Sequence, residues 1–201
     1  MKAIFNKLIK LNEWTLPNPL IDVEPIKESE SELSFLRKEQ VLHLFEVIRD
    51  SWSYKEVRLV YKICLATGTR INEAVLLKGE HVFDHKITFV NTKGKRNRTI
   101  PISPELYKEL KPEKNGRLFS IGYGIAHKWI TKALPDLPKG QATHVLRHTF
   151  ATDFMRKGGN ILDLKAALGH SSIEQTMIYA HFSPDHLSSV VSLNPIANLT
   201  I

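Results

Sequence analysis

Four short polar islands interrupt an otherwise apolar-patterned chain. Thr67-Gly68-Thr69-Arg70 puts Arg70 at a turn just before a helical pattern, and Lys93 stands in the basic centre of an alternating run. His144 and Arg147 lie one helical turn apart in the stretch THVLRHTFAT. His170 follows Leu168-Gly169, and Tyr179 comes further along the same stretch. This set of side chains suits attack on a phosphodiester without a metal. Two arginines can clamp the non-bridging oxygens, because each planar fork donates parallel hydrogen bonds and stays charged. They would supply the charge stabilisation that metal ions give elsewhere. A lysine can protonate a leaving alkoxide, and histidines can bind phosphate or handle the nucleophile's proton. Tyrosine suits a covalent bond that must later reverse.

Each residue has a plainer reading. A lone arginine often caps a helix, a hairpin tip is often only solvated, and a histidine can satisfy a helix C-terminus. A tyrosine on a helix is commonly a core residue. Lys95 rivals Lys93 as the general acid, and His148 stands beside His144 and Arg147. The nine histidines, His127 and His181 among them, show no H-E-x-x-H spacing, and one cysteine offers no pair. No metal and no cofactor are expected.

The elements that must position these groups follow from periodicity. Residues 3–14 read as a short amphipathic helix, and the acidic, Pro-containing stretch IDVEPIKESESE reads as a linker. Residues 37–50 and 54–66 carry apolar faces at helical spacing, and a third helix with Ala74, Leu76 and Leu77 follows Arg70. The period then changes: ITFVNTKGKRNRTIPI alternates as a β-hairpin around a Gly-Lys turn, its tip bearing Lys93, Lys95, Arg96 and Arg98. Ser103-Pro104 starts a further helix. Helices are expected over 122–134, over 145–157, and from an Asn160 cap to Leu168, where Gly169 stops the last of these. Ser172 with Gln175 reads as a capping box for a helix containing Tyr179, and Ser183-Pro184 starts a final helix. The fold class is α+β, mainly α-helical, with a small antiparallel β-sheet.

Composition bounds the function. The 201 residues suffice for one domain with a core and short appendages. The net charge of +7 favours a polyanionic partner, nucleic acid first. No run of about 18 apolar residues implies a membrane span, and the N-terminus lacks the apolar stretch of a secretory signal. The single Cys64, flanked by Ile63 and Leu65, reads as a buried thiol in a reducing, cytosolic compartment.

TGTRINE, the hairpin lysine, HVLRHTFAT, LGHSSIEQT and IYAH stand in the order found in the tyrosine recombinases, a family this chain resembles from about residue 33 to its C-terminus. Within that family it is most like the integrases of temperate phages, those of the Haemophilus and P2-like phages. The resemblance implies a helical catalytic domain of the DNA breaking-rejoining type. Such a domain performs site-specific cleavage and rejoining through a 3′-phosphotyrosine, for integration and excision of phage DNA. It implies Arg70 and Arg147 as phosphate clamps and Lys93 as the general acid. His144 becomes proton acceptor or phosphate ligand, His170 a phosphate ligand and Tyr179 the nucleophile. Lys95, Arg96 and Arg98 are expected on flanking phosphates.

Double-stranded attachment-site DNA is the implied partner. A dimer alone and a tetramer on DNA, accessory DNA-bending proteins and an excisionase complete the set, at the nucleoid of a bacterial host. Family members carry a further N-terminal clamp domain. Residues 1–32 therefore read as its last helix plus linker, in an excised fragment or truncated gene product, or else as an arm that docks on the domain that follows. Residues 33–184 read as the catalytic domain. Residues 185–201 form a helix or tail that either folds on its own domain or is exchanged between protomers. Two other readings stand beside this one: a truncated, non-catalytic DNA-binding module and a related topoisomerase.

Overall fold

The structure, a computed structural model, describes all residues but 24–32, 91–96, 112–114, 139, 143, 185–189, 191–194 and 196–201. The linker, the hairpin tip with Lys93, Lys95 and Arg96, and the helix expected after Pro184 therefore fall wholly or mainly outside the described residues. The chain forms two compact units, Met1–Glu32 and Leu33–Ile201.

In the first unit α1 spans Lys2–Lys10, shorter than the expected 3–14. Asn12 adopts a left-handed conformation (φ 58°), while Asn12 N–H and Glu13 N–H donate to Ile9 O and Leu8 O. That is the hydrogen-bond pattern of a Schellman stop, with asparagine taking the place usual for glycine. Phe5 meets Trp14 edge-on at 5.2 Å, and the Asn18 amide donates to Lys2 O and Asn6 Oδ1.

In the second unit α2 (Lys38–Val47) runs into a 3-10 turn, Ile48–Asp50, and α3 spans Tyr54–Thr67. Their apolar faces meet in the core, where Leu44, Ile48, Val57, Val60, Ile63 and Cys64 are fully buried. Burial drives the Cys64 thiol pKa well above its usual value, so this sulfur is packing and not a nucleophile. The helix after Arg70, α4, covers only Ile71–Val75, and Leu76 and Leu77 lie beyond it.

The sheet has three antiparallel strands in the order β1 (Val82–Phe83), β2 (Lys86–Phe89) and β3 (Arg98–Pro101). Strand β1 was not expected. It reaches β2 through Asp84 and His85, both at positive φ (48° and 55°), as a two-residue hairpin turn of the mirror-image type requires. Phe89 pairs with Arg98 and Ile87 with Ile100. Arg98, expected at the hairpin tip, thus lies inside β3 on the buried face.

Helix α5 (Pro104–Leu110) is capped by Ser103, whose hydroxyl accepts from Leu106 N–H, and α6 spans Tyr123–Ala133. Helix α7 (Val145–Arg156) is the central one, with Val145, Leu146, Arg147 and Ala151 buried. Thr149 on α7 accepts from Leu36 N–H, tying the entry to α2 against it. Helix α8 (Ile161–Leu168) starts at Asn160, whose side chain accepts from Leu162 N–H.

The last region departs from expectation. Helix α9 covers only Glu174–Met177, and its N-cap is Ile173 instead of the expected Ser172, whose side chain bonds the Glu174 carboxylate. Tyr179 lies between α9 and a 3-10 turn, Ala180–Phe182. Its ring belongs to a small apolar cluster with Ala151, Met155, Leu164 and Leu168.

Candidate active site

Two helix ends build the floor of the site. Helix α3 stops at Gly68 (φ 64°), whose N–H donates to Cys64 O, and α8 stops at Gly169 (φ 67°). There Gly169 N–H and His170 N–H donate to Ala166 O and Lys165 O, a Schellman pattern that fixes the backbone of His170. Both positions need glycine for the left-handed turn. At Gly68 a Cβ would also meet Phe150 Cδ1 at 2.4 Å.

Carbonyls at a helix end lack intrahelical partners and carry the negative end of the dipole. Arg147 fills that need twice: Nη1 donates to Gly68 O (2.9 Å) and Nη2 to Leu168 O (2.8 Å). The side chain is almost fully buried. Burial and the nearby charges of Arg70 and Arg98 lower its pKa to about 10, so it remains a cation at neutral pH. Two of a guanidinium's five N–H donors are thereby committed to holding it in place.

Arg70 follows the Gly68 turn directly and sits at the N-cap of α4. Glu73, one turn on, binds it back: Arg70 N–H donates to Glu73 Oε2 (3.1 Å) and Arg70 Nη1 to Glu73 Oε1 (3.3 Å). The same carboxylate accepts from Arg98 Nη2 (2.6 Å) and from the Thr69 hydroxyl (2.6 Å). Burial alone would raise the Glu73 pKa, but the bonds from Arg98 and Thr69 outweigh it and hold the group at about 2. Arg98 also donates to Thr69 Oγ1 (3.0 Å) and lies 4.8 Å over the Phe89 ring. Its buried Nε has no partner among the described residues.

Three guanidinium groups thus surround one carboxylate, leaving the site positive. His170 feels it: burial, then Arg147, Arg70 and Arg98, push its pKa down to about 4. It is a neutral imidazole at pH 7, and its Nδ1 lies 2.8 Å from the hydroxyl of the fully buried Thr176.

Tyr179 is buried, and its Oη lies 2.6 Å from His148 Nδ1. Burial pushes the phenol up to about 12 against the opposing charge of Arg147. His148 is held at about 4 by burial, then by His144 and Arg147. His144 is the exposed N-cap of α7, its ring centred 6.0 Å from that of His148.

The structure therefore brings Arg70, Arg147, His170 and Tyr179 into one electrostatic neighbourhood within a single chain, with His144 at its edge. Lys93, Lys95 and Arg96 lie outside the described residues. Arg98 faces inward, beside Glu73. Sequence reading gave no role to Glu73, Thr176 or His148. Glu73 had a signal, an acid at the third position of a helix opened by Arg70. Thr176 had none. Among the described residues no cluster of histidine, cysteine or carboxylate side chains could hold a metal ion, and no helix is long and apolar enough to cross a membrane.

Residues 34–186 match the model of the phage integrase family. The integrase of Haemophilus phage HP1 is 50% identical over 198 residues, 98% of this chain and 58% of that protein. The integrase of Escherichia phage 186 is 46% identical, over 99% of this chain and 59% of that protein. The chain thus spans a little under three-fifths of these relatives. The solved catalytic domain of bacteriophage HP1 integrase superposes with a TM-score of 0.77 at 50% identity, covering 85% of this chain and 100% of that one.

Proposed function

The chain belongs to the phage integrase family, and from that premise we propose that it cleaves and rejoins DNA at specific sites through Tyr179, which forms a 3′-phosphotyrosine. The observation that carries this reading is the placement of Tyr179 Oη beside His148, in the field of Arg147 and within the same chain as Arg70 and His170.

Arg70 and Arg147 clamp the two non-bridging oxygens, using donors that the helix-end carbonyls and Glu73 leave over. Arg147 cannot swing away, so it is preorganised for the charge of the pentacoordinate phosphorus. His170, oriented by Thr176, contacts the same phosphate. Lys93, or Lys95 beside it, protonates the leaving 5′-oxygen. The energy of the broken bond stays in the tyrosyl ester, so rejoining needs no nucleotide. The substrate is double-stranded attachment-site DNA. Lys95 and Arg96 hold phosphates near the cut, and assembly proceeds from a dimer to a tetramer with accessory bending proteins and an excisionase. The setting is the bacterial cytoplasm.

Covalent trapping tests the reading. The chain is mixed with a nicked duplex carrying its site and run on a denaturing gel. A protein–DNA adduct that survives chelator and disappears in Tyr179→Phe is the expected result. Binding without any adduct would sink the catalytic reading and favour a DNA-binding module.

A further inference from the structure

We propose that His148 is the base that accepts the proton of Tyr179 as it attacks the phosphate. This rests on the tyrosine-nucleophile reading above and supplies the proton acceptor for it.

The geometry singles out one residue. The phenol hydroxyl is buried, and among the described residues His148 Nδ1 is its hydrogen-bond partner, at 2.6 Å. A buried hydroxyl proton needs an acceptor. At neutral pH the imidazole is uncharged and carries its one proton on Nε2 or Nδ1. Only the Nε2-protonated tautomer leaves Nδ1 free to accept from Oη; the other would strand the phenol proton. His144, the acceptor expected from sequence, is exposed at the N-cap of α7. His148 lies one residue beyond Arg147 on the same helix, so the base and the phosphate clamp are held by one rigid element.

At rest the pair is mismatched, the phenol at about 12 and the imidazole at about 4. Such a gap forbids transfer before attack. Burial is the first cause in both, and His148 also faces the charge of Arg147 and the rings of His144 and Tyr179, and it interacts electrostatically with His170. A phosphate anion seated on Arg70 and Arg147 offsets that positive field and makes the imidazole more basic. Bonding of Oη to phosphorus acidifies the phenol at the same moment. The O–H bond breaks as the O–P bond forms, and the proton passes to Nδ1. The bond from phosphorus to the 5′-oxygen breaks, and that oxygen takes its proton from the lysine acting as general acid. Rejoining reverses every transfer: the 5′-hydroxyl attacks, its proton goes to the lysine, and the departing tyrosyl oxygen recovers its own from His148.

The test uses the whole chain and a nicked duplex whose sequence the chain itself retains from a random-core pool. His148→Asn keeps an oxygen that can accept from Oη but cannot take the proton. Adduct formation in H148N is expected to slow by about 100-fold or more, in the range general bases contribute, and to lose its fall at acid pH. The defect is expected to persist on a substrate with sulfur at the bridging 5′-position, whose departure needs no proton. A rate within about 3-fold of the parent overturns the proposal. So does a defect that the sulfur substrate relieves, because His148 would then serve the leaving group. A parent chain that forms no adduct removes the tyrosine reading beneath it instead. A DNA-free arm covers the case in which H148N does not fold. Nitrogen NMR of the parent imidazole is expected to show the proton on Nε2; a proton on Nδ1 overturns the proposal.

Discussion

The two sides of the site are built on opposite plans. On one side Arg147 is bonded to the ends of two helices, α3 and α8, and Arg70 is bonded to Glu73 at the start of a third. On the other side Tyr179 sits between a four-residue helix and a 3-10 turn, and among the described residues its hydroxyl has a single partner, His148. The charges proposed to hold the phosphate are thus part of the fold's framework, whereas the proposed nucleophile is packed between short elements. A clamp must resist the pull of a polyanion without moving. A nucleophile must leave its resting bond, join phosphorus and return. If the proposed roles hold, changes at Arg147 and Arg70 cost stability and chemistry together, while removal of the Tyr179 hydroxyl costs chemistry with little stability.

Arg147→Ala is expected to have the largest effect. It leaves Gly68 O and Leu168 O without donors, and a buried unpaired polar group costs about 1–3 kcal/mol. Losing a cation that Arg70 and Arg98 repel returns part of this. A net loss of about 3 kcal/mol in urea unfolding is expected, with adduct formation abolished. Arg147→Lys keeps the charge but not the fork, and should fall between that variant and the parent. Unchanged stability in Arg147→Ala would mean that the two helix ends do not depend on it.

The glycines come next. Gly68→Ala combines a left-handed backbone with a Cβ 2.4 Å from the Phe150 ring, so a loss of about 2–3 kcal/mol is expected. At Gly169 the closest atom to a Cβ is Arg98 Cδ at 3.2 Å, on a side chain. Gly169→Ala should therefore cost less, about 1–2 kcal/mol, nearly all of it backbone conformation. The order of the two, read by thermal unfolding, separates crowding from strain.

Acid should weaken the site in two stages. His148 and His170 have folded-state pKa values near 4, below the ordinary histidine value of about 6.5. The unfolded chain then binds more protons, so stability is complete above about pH 6.5 and falls as the pH drops toward 4. Glu73 is depressed to about 2, so its contribution is present above about pH 4.5 and is lost as pH falls through 2. Urea midpoints measured from pH 7.5 to 3 should begin to drop below about 6.5, and the first limb should shrink in H148N.

Much of this was legible in the chain. Apolar spacing placed α2, α3 and α7, since long amphipathic patterns are hard to mistake, and the Asn160 cap with the Gly169 stop placed α8. Gly169 and Ser103 did what their residue types require. Arg98 was misplaced at the hairpin tip, although the sequence held a correction: Arg98, Ile100 and Ile102 alternate, and an arginine in phase with two buried isoleucines faces inward. Strand β1 was missed because two residues are too few for a periodic signal. The helix expected around Tyr179 shrank to Glu174–Met177 because packing of the tyrosine ring, which no local pattern encodes, overrode propensity. For the same reason the pairing of Tyr179 with His148 was hidden. It joins residues far apart in sequence, and nothing local distinguishes His148 from His144.

The smallest effect is the most telling. Tyr179→Phe removes one oxygen and leaves the ring in its apolar cluster with Met155, Leu164 and Leu168. The lost bond to His148 is worth about 1 kcal/mol net, and relief of the buried hydroxyl offsets some of that. Urea unfolding should shift by no more than about 1 kcal/mol, with an unchanged denaturant slope, while adduct formation disappears. A loss of several kcal/mol would show that the hydroxyl is part of the framework after all, and would place the nucleophile among the structural anchors where Arg147 stands.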